Sequence, residues 1–135
     1  MMNDDWKNTV GFTEHENWGN SKLIMSDLVK ALVKLRKYVG KSILIHCGTQ
    51  GTHCKGSFHG LGMAVDLHIS GMNIIDQFIA ASRFPEFTGI GIYPNWNNPG
   101  LHLDIRQTSF RALWWRDSEG KYQEVDALSI KSWRI

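Results

Sequence analysis

In two short segments every second side chain is a large apolar one and the residues between include aspartate and histidine, and this pattern constrains the fold more than any other feature. Segment 63–69 reads MAVDLHI and segment 101–106 reads LHLDIR. Successive side chains of a strand point to opposite faces, so each segment has an apolar face and a face that carries aspartate and histidine. If the two strands are neighbours, Asp66 and His102 face the same side of one sheet. The sequence therefore predicts a half-buried sheet with a polar site on one face.

Helical spacing of apolar residues surrounds these strands. It predicts one helix over 23–38, ended by Gly40, and a second over 74–84, stopped by Pro85. Further strands are predicted over 42–46, 88–93, 111–115 and 122–125. This order of helices and strands indicates an α+β domain with a mostly antiparallel sheet and flanking helices.

The length of 135 residues is typical of one domain. We expect a single domain over 1–135, with an irregular N-terminal arm over 1–20 that packs down through aromatic side chains. A net charge of +2 without a cluster of lysines and arginines does not favour nucleic-acid binding. Since no apolar run approaches the roughly 18–20 residues that span a bilayer, no membrane segment is expected either. We expect a monomer.

The two cysteines, Cys47 and Cys54, are too few to form a disulfide scaffold in a chain of this length. We expect two free thiols, with a bridge between them as the weaker alternative. The first ten residues, MMNDDWKNTV, have neither the basic nor the apolar region of a secretory signal peptide, so we expect no such signal.

A metal site is predicted where the two alternating strands meet. His59 lies on a glycine-rich loop that leads into the strand of Asp66, and His102 begins the other strand. Two imidazoles and one carboxylate are a good ligand set for Zn²⁺, with the fourth position left for water. Any one of these residues alone is more often a hydrogen-bonded or solvated side chain. The joint pattern is what favours a catalytic type of zinc site.

The same residues resemble a known family. SFHGLGMAVD at 57–66 is similar to the S-x-H-x-x-G-x-A-x-D signature of zinc D-alanyl-D-alanine carboxypeptidases and L-alanyl-D-glutamate peptidases. GIGIYP at 89–94, followed by HLDIR at 102–106, resembles their second signature. The hedgehog signalling domain and lysostaphin-type enzymes share this zinc core. The resemblance covers roughly 23–106 and implies the hedgehog/DD-peptidase fold, with His59, Asp66 and His102 as zinc ligands.

Two positions depart from the family pattern. Many members carry glutamate or aspartate three residues before the last ligand as the catalytic base, but this chain has Pro99 there. Asp104 is then the best remaining candidate for a catalytic carboxylate, and a structural aspartate paired with Arg106 is an equal alternative. Family members also hold the substrate with an arginine. Near that position this chain has Gln50, which brings no charge.

The resemblance implies a zinc metallopeptidase that cuts a peptide bond in peptidoglycan stem peptides. It acts either as a D-Ala-D-Ala carboxypeptidase or as an L-Ala-D-Glu type of endopeptidase. We expect substrate contacts from Gln50, His53, Trp96 and Arg106. The alternatives are a zinc-binding domain that binds peptides or cell wall without hydrolysis, and a structural domain without metal. Similarity to compact phage-borne members implies a lysis protein that stays cytoplasmic until it is released, or a virion-associated protein.

Overall fold

The structure is a computed structural model that describes residues 1–50 and 57–133. Within these ranges the chain forms a six-stranded mixed sheet and four α-helices, which confirms the α+β class. The helices are α1 (Asn3–Lys7), α2 (Ser26–Val39), α3 (Ile74–Ser82) and α4 (Ala127–Ser132), with one 3₁₀ turn at Ser21–Leu23. The strands are β1 (Ile43–Cys47), β2 (Ala64–Ile69), β3 (Gly89–Tyr93), β4 (Gly100–Asp104), β5 (Ala112–Arg116) and β6 (Tyr122–Glu124).

The order of strands in the sheet is β1-β2-β4-β3-β5-β6. Neighbouring strands run antiparallel except β3 and β5, which are parallel, so the sheet is mostly antiparallel as the sequence predicts. The two alternating segments are direct neighbours, as β2 and β4. That the architecture is the hedgehog/DD-peptidase fold in particular stays a prediction. None of the helices in the described part of the chain has the length and apolar character to cross a membrane.

The apolar core lies between one face of the sheet and the helices. Helix α2 contributes a stripe of leucines spaced three and four residues apart, and the strands contribute every second side chain. Fully buried members from α2, β2 and β4 include Leu28, Leu32, Leu35, Leu67 and Leu103. Burying each of these side chains stabilises the fold by roughly 1.5–3 kcal/mol. The opposite face of β2 and β4 is therefore free to carry polar chemistry.

The N-terminal arm packs on this core through aromatic rings, as predicted. Trp6, Phe12 and Trp18 are buried, and the Trp6 and Trp18 rings lie 5.1 Å apart. The Trp18 indole donates a hydrogen bond of 2.7 Å to the carbonyl of Thr13, which satisfies its polar atom inside the core. The prediction of a wholly irregular arm is wrong, because α1 forms within it.

Two other differences from the sequence prediction have local causes. The helix predicted from residue 23 begins at Ser26, because Asn20 caps a separate 3₁₀ turn and Met25 is extended. Helix α4 was not predicted. It is closed at its start by Asp126 and Ser129, each of whose side chains accepts a hydrogen bond from the other residue's backbone N–H.

Candidate metal centre

The register of the sheet aligns three metal-binding residue types in one row. Cys47 of β1 lies opposite Asp66 of β2, and Asp66 lies opposite His102 of β4. Side chains opposite each other on neighbouring strands stand about 4.5–5.5 Å apart at Cβ. We call Cys47, Asp66 and His102 the cross-strand row. It brings together residues that are far apart in the sequence.

His59 completes the site from the loop before β2. The N–H groups of Gly62 and Met63 donate to the carbonyls of His59 and Phe58, each at 3.0 Å, which folds the loop into a tight turn. His59 is buried, and its ring lies 5.0 Å from the His102 ring at a steep angle. The loop therefore covers the polar face of β2 and β4 and points an imidazole at the cross-strand row.

Three potential donor atoms form a nearly equilateral triangle. His59 Nε2 lies 3.4 Å from Asp66 Oδ1, His102 Nδ1 lies 3.3 Å from the same oxygen, and the two nitrogens are 3.2 Å apart. Ligand atoms at about 2.0–2.1 Å from a tetrahedral Zn²⁺ stand roughly 3.3 Å from one another. All three edges of the triangle match that separation.

The outer nitrogens of both imidazoles have their own partners. His59 Nδ1 lies 3.1 Å from the carbonyl of Gly48, and His102 Nε2 lies 2.7 Å from Asp104 Oδ2. Both partners are acceptors, so in a neutral imidazole the single proton is assigned to the outer nitrogen. In that state the inner nitrogens present lone pairs towards Asp66. Such outer contacts are the usual means by which proteins orient metal-binding histidines.

Asp66 presents an unpaired oxygen to the centre of the triangle. Its Oδ1 is buried and makes no hydrogen bond of good geometry. In the metal-free protein, burial opposes the charged form of Asp66, but hydrogen bonds and charge interactions with His102 and His59 in their protonated form outweigh it and lower the pKa of this carboxyl to about 2. The carboxylate is thus ionised at neutral pH. With both imidazoles neutral, three acceptor atoms would face one point and repel each other unless a cation lay between them, so the residues fit a divalent metal ion.

Cys47 brings a fourth potential donor to the same place. The ligand atoms of Cys47, His59 and Asp66 all lie within 4.8 Å of one another, and these three residues could hold a metal ion. The thiol is half-buried and forms no disulfide among the described residues, which do not include Cys54. Burial and the nearby Asp66 charge raise the pKa of the Cys47 thiol. The sequence predicts Cys47 as a free thiol and does not place it at the site.

Asp104 lies behind His102 and is held from two sides. Its carboxylate, completely buried, accepts hydrogen bonds from His102 Nε2 at 2.7 Å and from Arg106 Nε and Nη2 at 2.9 and 2.7 Å. Burial alone would raise the pKa of Asp104, but the interactions with His102 and Arg106 outweigh burial, and the pKa of Asp104 is lowered. For His102 the reverse holds: burial alone would lower its pKa, but Asp104 and Asp66 outweigh burial, and the pKa of His102 is raised. The Arg106 guanidinium lies between the rings of Phe58, at 4.5 Å, and Trp114, at 5.1 Å.

Two glycines of β3 make room for this arrangement. A Cβ at Gly89 would overlap the Asp104 carboxylate, and a Cβ at Gly91 would overlap the Trp114 ring. Because Gly91 has no side chain, Trp114 crosses over β3 and reaches within 5.1 Å of the His102 ring. Trp115, the next residue, points to the other face and packs on Trp133 instead. The G-x-G spacing of Gly89 and Gly91 was the sequence signal that side chains from neighbouring strands pack over β3 at this point.

A cavity of about 280 Å³ opens beside the triangle. It is lined by His46, Asp66, Trp96, Asn97 and Asn98, and we call it the Trp96 cavity. Trp96 stacks on Tyr93 at 4.3 Å and meets His46 edge-on at 6.2 Å. His46 Nε2 in turn lies 2.6 Å from His68 Nδ1. Trp96, predicted to contact substrate, is therefore placed next to a potential metal ligand.

The other predicted contact residues are placed differently. The side-chain amide of Gln50 donates to the Asn17 carbonyl at 3.0 Å and accepts from the Gly48 N–H at 2.8 Å, so it braces the loop after β1. Arg106 is paired with Asp104. His53 and Cys54 lie outside the described residues. The roles assigned to these residues as substrate contacts, and to Asp104 as a catalytic group, stay predictions.

Comparisons with known proteins add no family to this description. A scan against models of protein families, a search of curated proteins and a search of solved structures each found no match.

Proposed function

We propose that this protein is a zinc-dependent peptidase that hydrolyses a peptide bond in peptidoglycan stem peptides. The observation that carries the proposal is the triangle of His59 Nε2, Asp66 Oδ1 and His102 Nδ1, whose edges of 3.2–3.4 Å suit tetrahedral zinc. The choice of substrate rests on the resemblance of 57–66 and 89–106 to the zinc carboxypeptidase and endopeptidase signatures. Those signatures contain all three residues of the triangle.

The chain's own residues would hold the ion and fix the ligands. Asp66 supplies a charged oxygen, while the Gly48 carbonyl and Asp104 favour the tautomers that leave the inner nitrogens of the two neutral histidines free for the ion. When bound, Zn²⁺ lowers the pKa of a coordinated water towards about 7 and polarises a carbonyl. In this proposal Asp104 is a positioning residue, because its carboxylate is fully buried and already engaged by His102 and Arg106.

The Trp96 cavity would receive the peptide. Trp96 offers a ring face, and Asn97 and Asn98 offer exposed amides that can hydrogen-bond a peptide backbone. The turn that carries them is tied to α3, because the Gln77 amide donates to the Pro99 carbonyl at 2.9 Å. His46 lines the same cavity and supplies an imidazole that can accept a proton from the reacting groups.

The second candidate function is a zinc-binding domain that holds peptide or cell wall without cutting it. One observation favours it: Pro99 occupies the position of the family's catalytic carboxylate, and Asp104 is buried in an ion pair. Both functions require the metal, so they differ only in whether a bond is broken.

The test is to incubate the zinc-loaded protein with purified peptidoglycan and to measure released amines. We expect release by the wild type and by the His15→Ala variant, whose histidine is exposed on the arm, and none by His59→Ala. Release of free D-alanine would identify a carboxypeptidase, and a new stem-peptide amine an endopeptidase. If the wild type sediments with peptidoglycan but releases no amine, the second candidate replaces the first. If it binds no zinc, both are refuted.

A further inference from the structure

We propose that Cys47 is a fourth protein ligand of the metal ion, so that the centre is a Cys-His-His-Asp set. This inference rests on the metal-binding part of the proposed function and adds a soft, negatively charged donor to it. The resemblance that suggested the other three ligands assigns no role to this cysteine.

A β-bulge places Cys47 on the site face of the sheet. Ile43 and Ile45 point into the core, and simple alternation would send Cys47 there too. The pairing between β1 and β2 shifts, however, so that Ile45 lies opposite Leu67 while Cys47 lies opposite Asp66. His46 becomes the extra residue. Bulges commonly redirect a side chain next to a functional site, and here the redirected side chain is a thiol.

The thiol is within reach of the ion that the triangle would hold. Its sulfur and the ligand atoms of His59 and Asp66 lie within 4.8 Å of one another. In a tetrahedral zinc site with Zn–S of about 2.3 Å, sulfur stands roughly 3.5 Å from nitrogen or oxygen ligands. The only hydrogen bond that the Cys47 thiol makes in the described structure is a long one, 3.8 Å, to the Gly48 carbonyl. Turning the Cys47 side chain towards the triangle would therefore give up only this weak contact.

Chemistry selects the ion for such a set. A thiolate, two imidazoles and a carboxylate suit Zn²⁺ or Co²⁺, whereas Mg²⁺ and Ca²⁺ prefer oxygen ligands alone. The thiolate of Cys47 and the carboxylate of Asp66 together carry two negative charges, which a divalent cation neutralises. With four protein ligands the sulfur occupies the corner that a water would otherwise take, so the coordinated water of the proposed peptidase would need a fifth position on the ion.

Cobalt absorption tests the sulfur–metal bond directly. The full chain is loaded with Co²⁺, and the sulfur-to-cobalt charge-transfer band in the near ultraviolet is recorded. We expect the band in the wild type and in Cys54→Ser, which is the matched control for a thiol elsewhere in the chain, and we expect its loss in Cys47→Ser. Zinc affinity, measured by competition with a chromophoric chelator, should fall in Cys47→Ser by at least the roughly 10–100-fold that loss of an outer contact costs.

A second measurement on the unchanged chain covers the case in which the variant does not fold. Zinc should slow alkylation of Cys47 by iodoacetamide, read by peptide mass spectrometry, and a chelator should restore it. A wild type that binds cobalt without the charge-transfer band, or a band that persists in folded Cys47→Ser, would overturn the inference. If amine release from peptidoglycan is intact in that case, only the role of Cys47 fails and the proposed function stands.

Discussion

Replacing Asp104 with asparagine keeps the shape of the side chain but removes the charge that holds His102 and Arg106. Asparagine has one carbonyl oxygen in place of two, so it cannot keep all the hydrogen bonds that the carboxylate accepts. With that oxygen in the place of Oδ1, where it accepts from the backbone N–H and Nε of Arg106, its NH₂ group faces His102 Nε2 and favours the tautomer whose proton lies on Nδ1. That proton would point into the triangle of potential donor atoms, towards Asp66 Oδ1. We therefore expect Asp104→Asn to bind zinc about 10–100-fold more weakly, which is about 1.4–2.7 kcal/mol.

The same substitution should destabilise the metal-free fold. Removing one partner of a buried ion pair costs about 3–5 kcal/mol, and we expect the lower end, about 3 kcal/mol, because the Arg106 side chain is 25% exposed whereas that of Asp104 is 0% exposed. Urea unfolding in the presence of a chelator measures this loss, and competition with a chromophoric chelator measures zinc affinity. Asp76→Asn, on the exposed side of α3, is the control and should change neither quantity.

The result that would refute this reasoning is an Asp104→Asn variant with zinc affinity within about twofold of the wild type but no amine release from peptidoglycan. Asp104 would then act on the reacting groups, as the sequence analysis proposed, and not through the orientation of His102. Loss of both zinc affinity and stability supports the positioning role.

Three further changes give measurable outcomes. Gly89→Ala forces a Cβ against the Asp104 carboxylate and should lower stability by about 1–3 kcal/mol in urea unfolding; an unchanged midpoint would contradict the close approach. Zinc at a hundredfold excess over its Kd should add about 2.7 kcal/mol, seen as a higher Tm by calorimetry for the wild type and His15→Ala but not for His59→Ala. In the metal-free folded protein the pKa of Asp66 is lowered to about 2, whereas in the unfolded chain it is about 3.9. Ionised Asp66 therefore stabilises the fold above a pH of about 3.9, and this stabilisation is lost as the pH falls towards about 2. The free energy of unfolding from urea titrations over that pH range should fall by about 2 kcal/mol for the wild type and less for Asp66→Asn.

The alternation of polar and apolar residues was enough to predict β2 and β4 and the shared face of Asp66 and His102. Alternation depends only on the two-residue period of a strand, which the sequence displays directly. The candidate metal ligands His59, Asp66 and His102 were therefore within reach of sequence reasoning, and the structure places their potential donor atoms together. Their function as zinc ligands awaits the titrations described above.

Pairing between strands was harder to predict, because register depends on tertiary contacts. The bulge at His46 reverses the face to which Cys47 points, and no local pattern of residues in 43–47 predicts a bulge there. The contact between Asp104 and Arg106 was one of two open alternatives, and only the packing around Gly89 shows how the carboxylate becomes buried. Short helices such as α1 and α4 are stabilised by packing and capping and carry little periodic signal.

The cross-strand row has a consequence for how the chain folds. Its members come from β1, β2 and β4, and β4 pairs with β2 only after α3 and β3 have been passed along the chain. Contacts between residues so distant in sequence form late and slowly, since loop closure must come first. No fragment that lacks one of these strands can assemble the row, so the appearance of cobalt colour in refolding protein would report the pairing of β2 with β4.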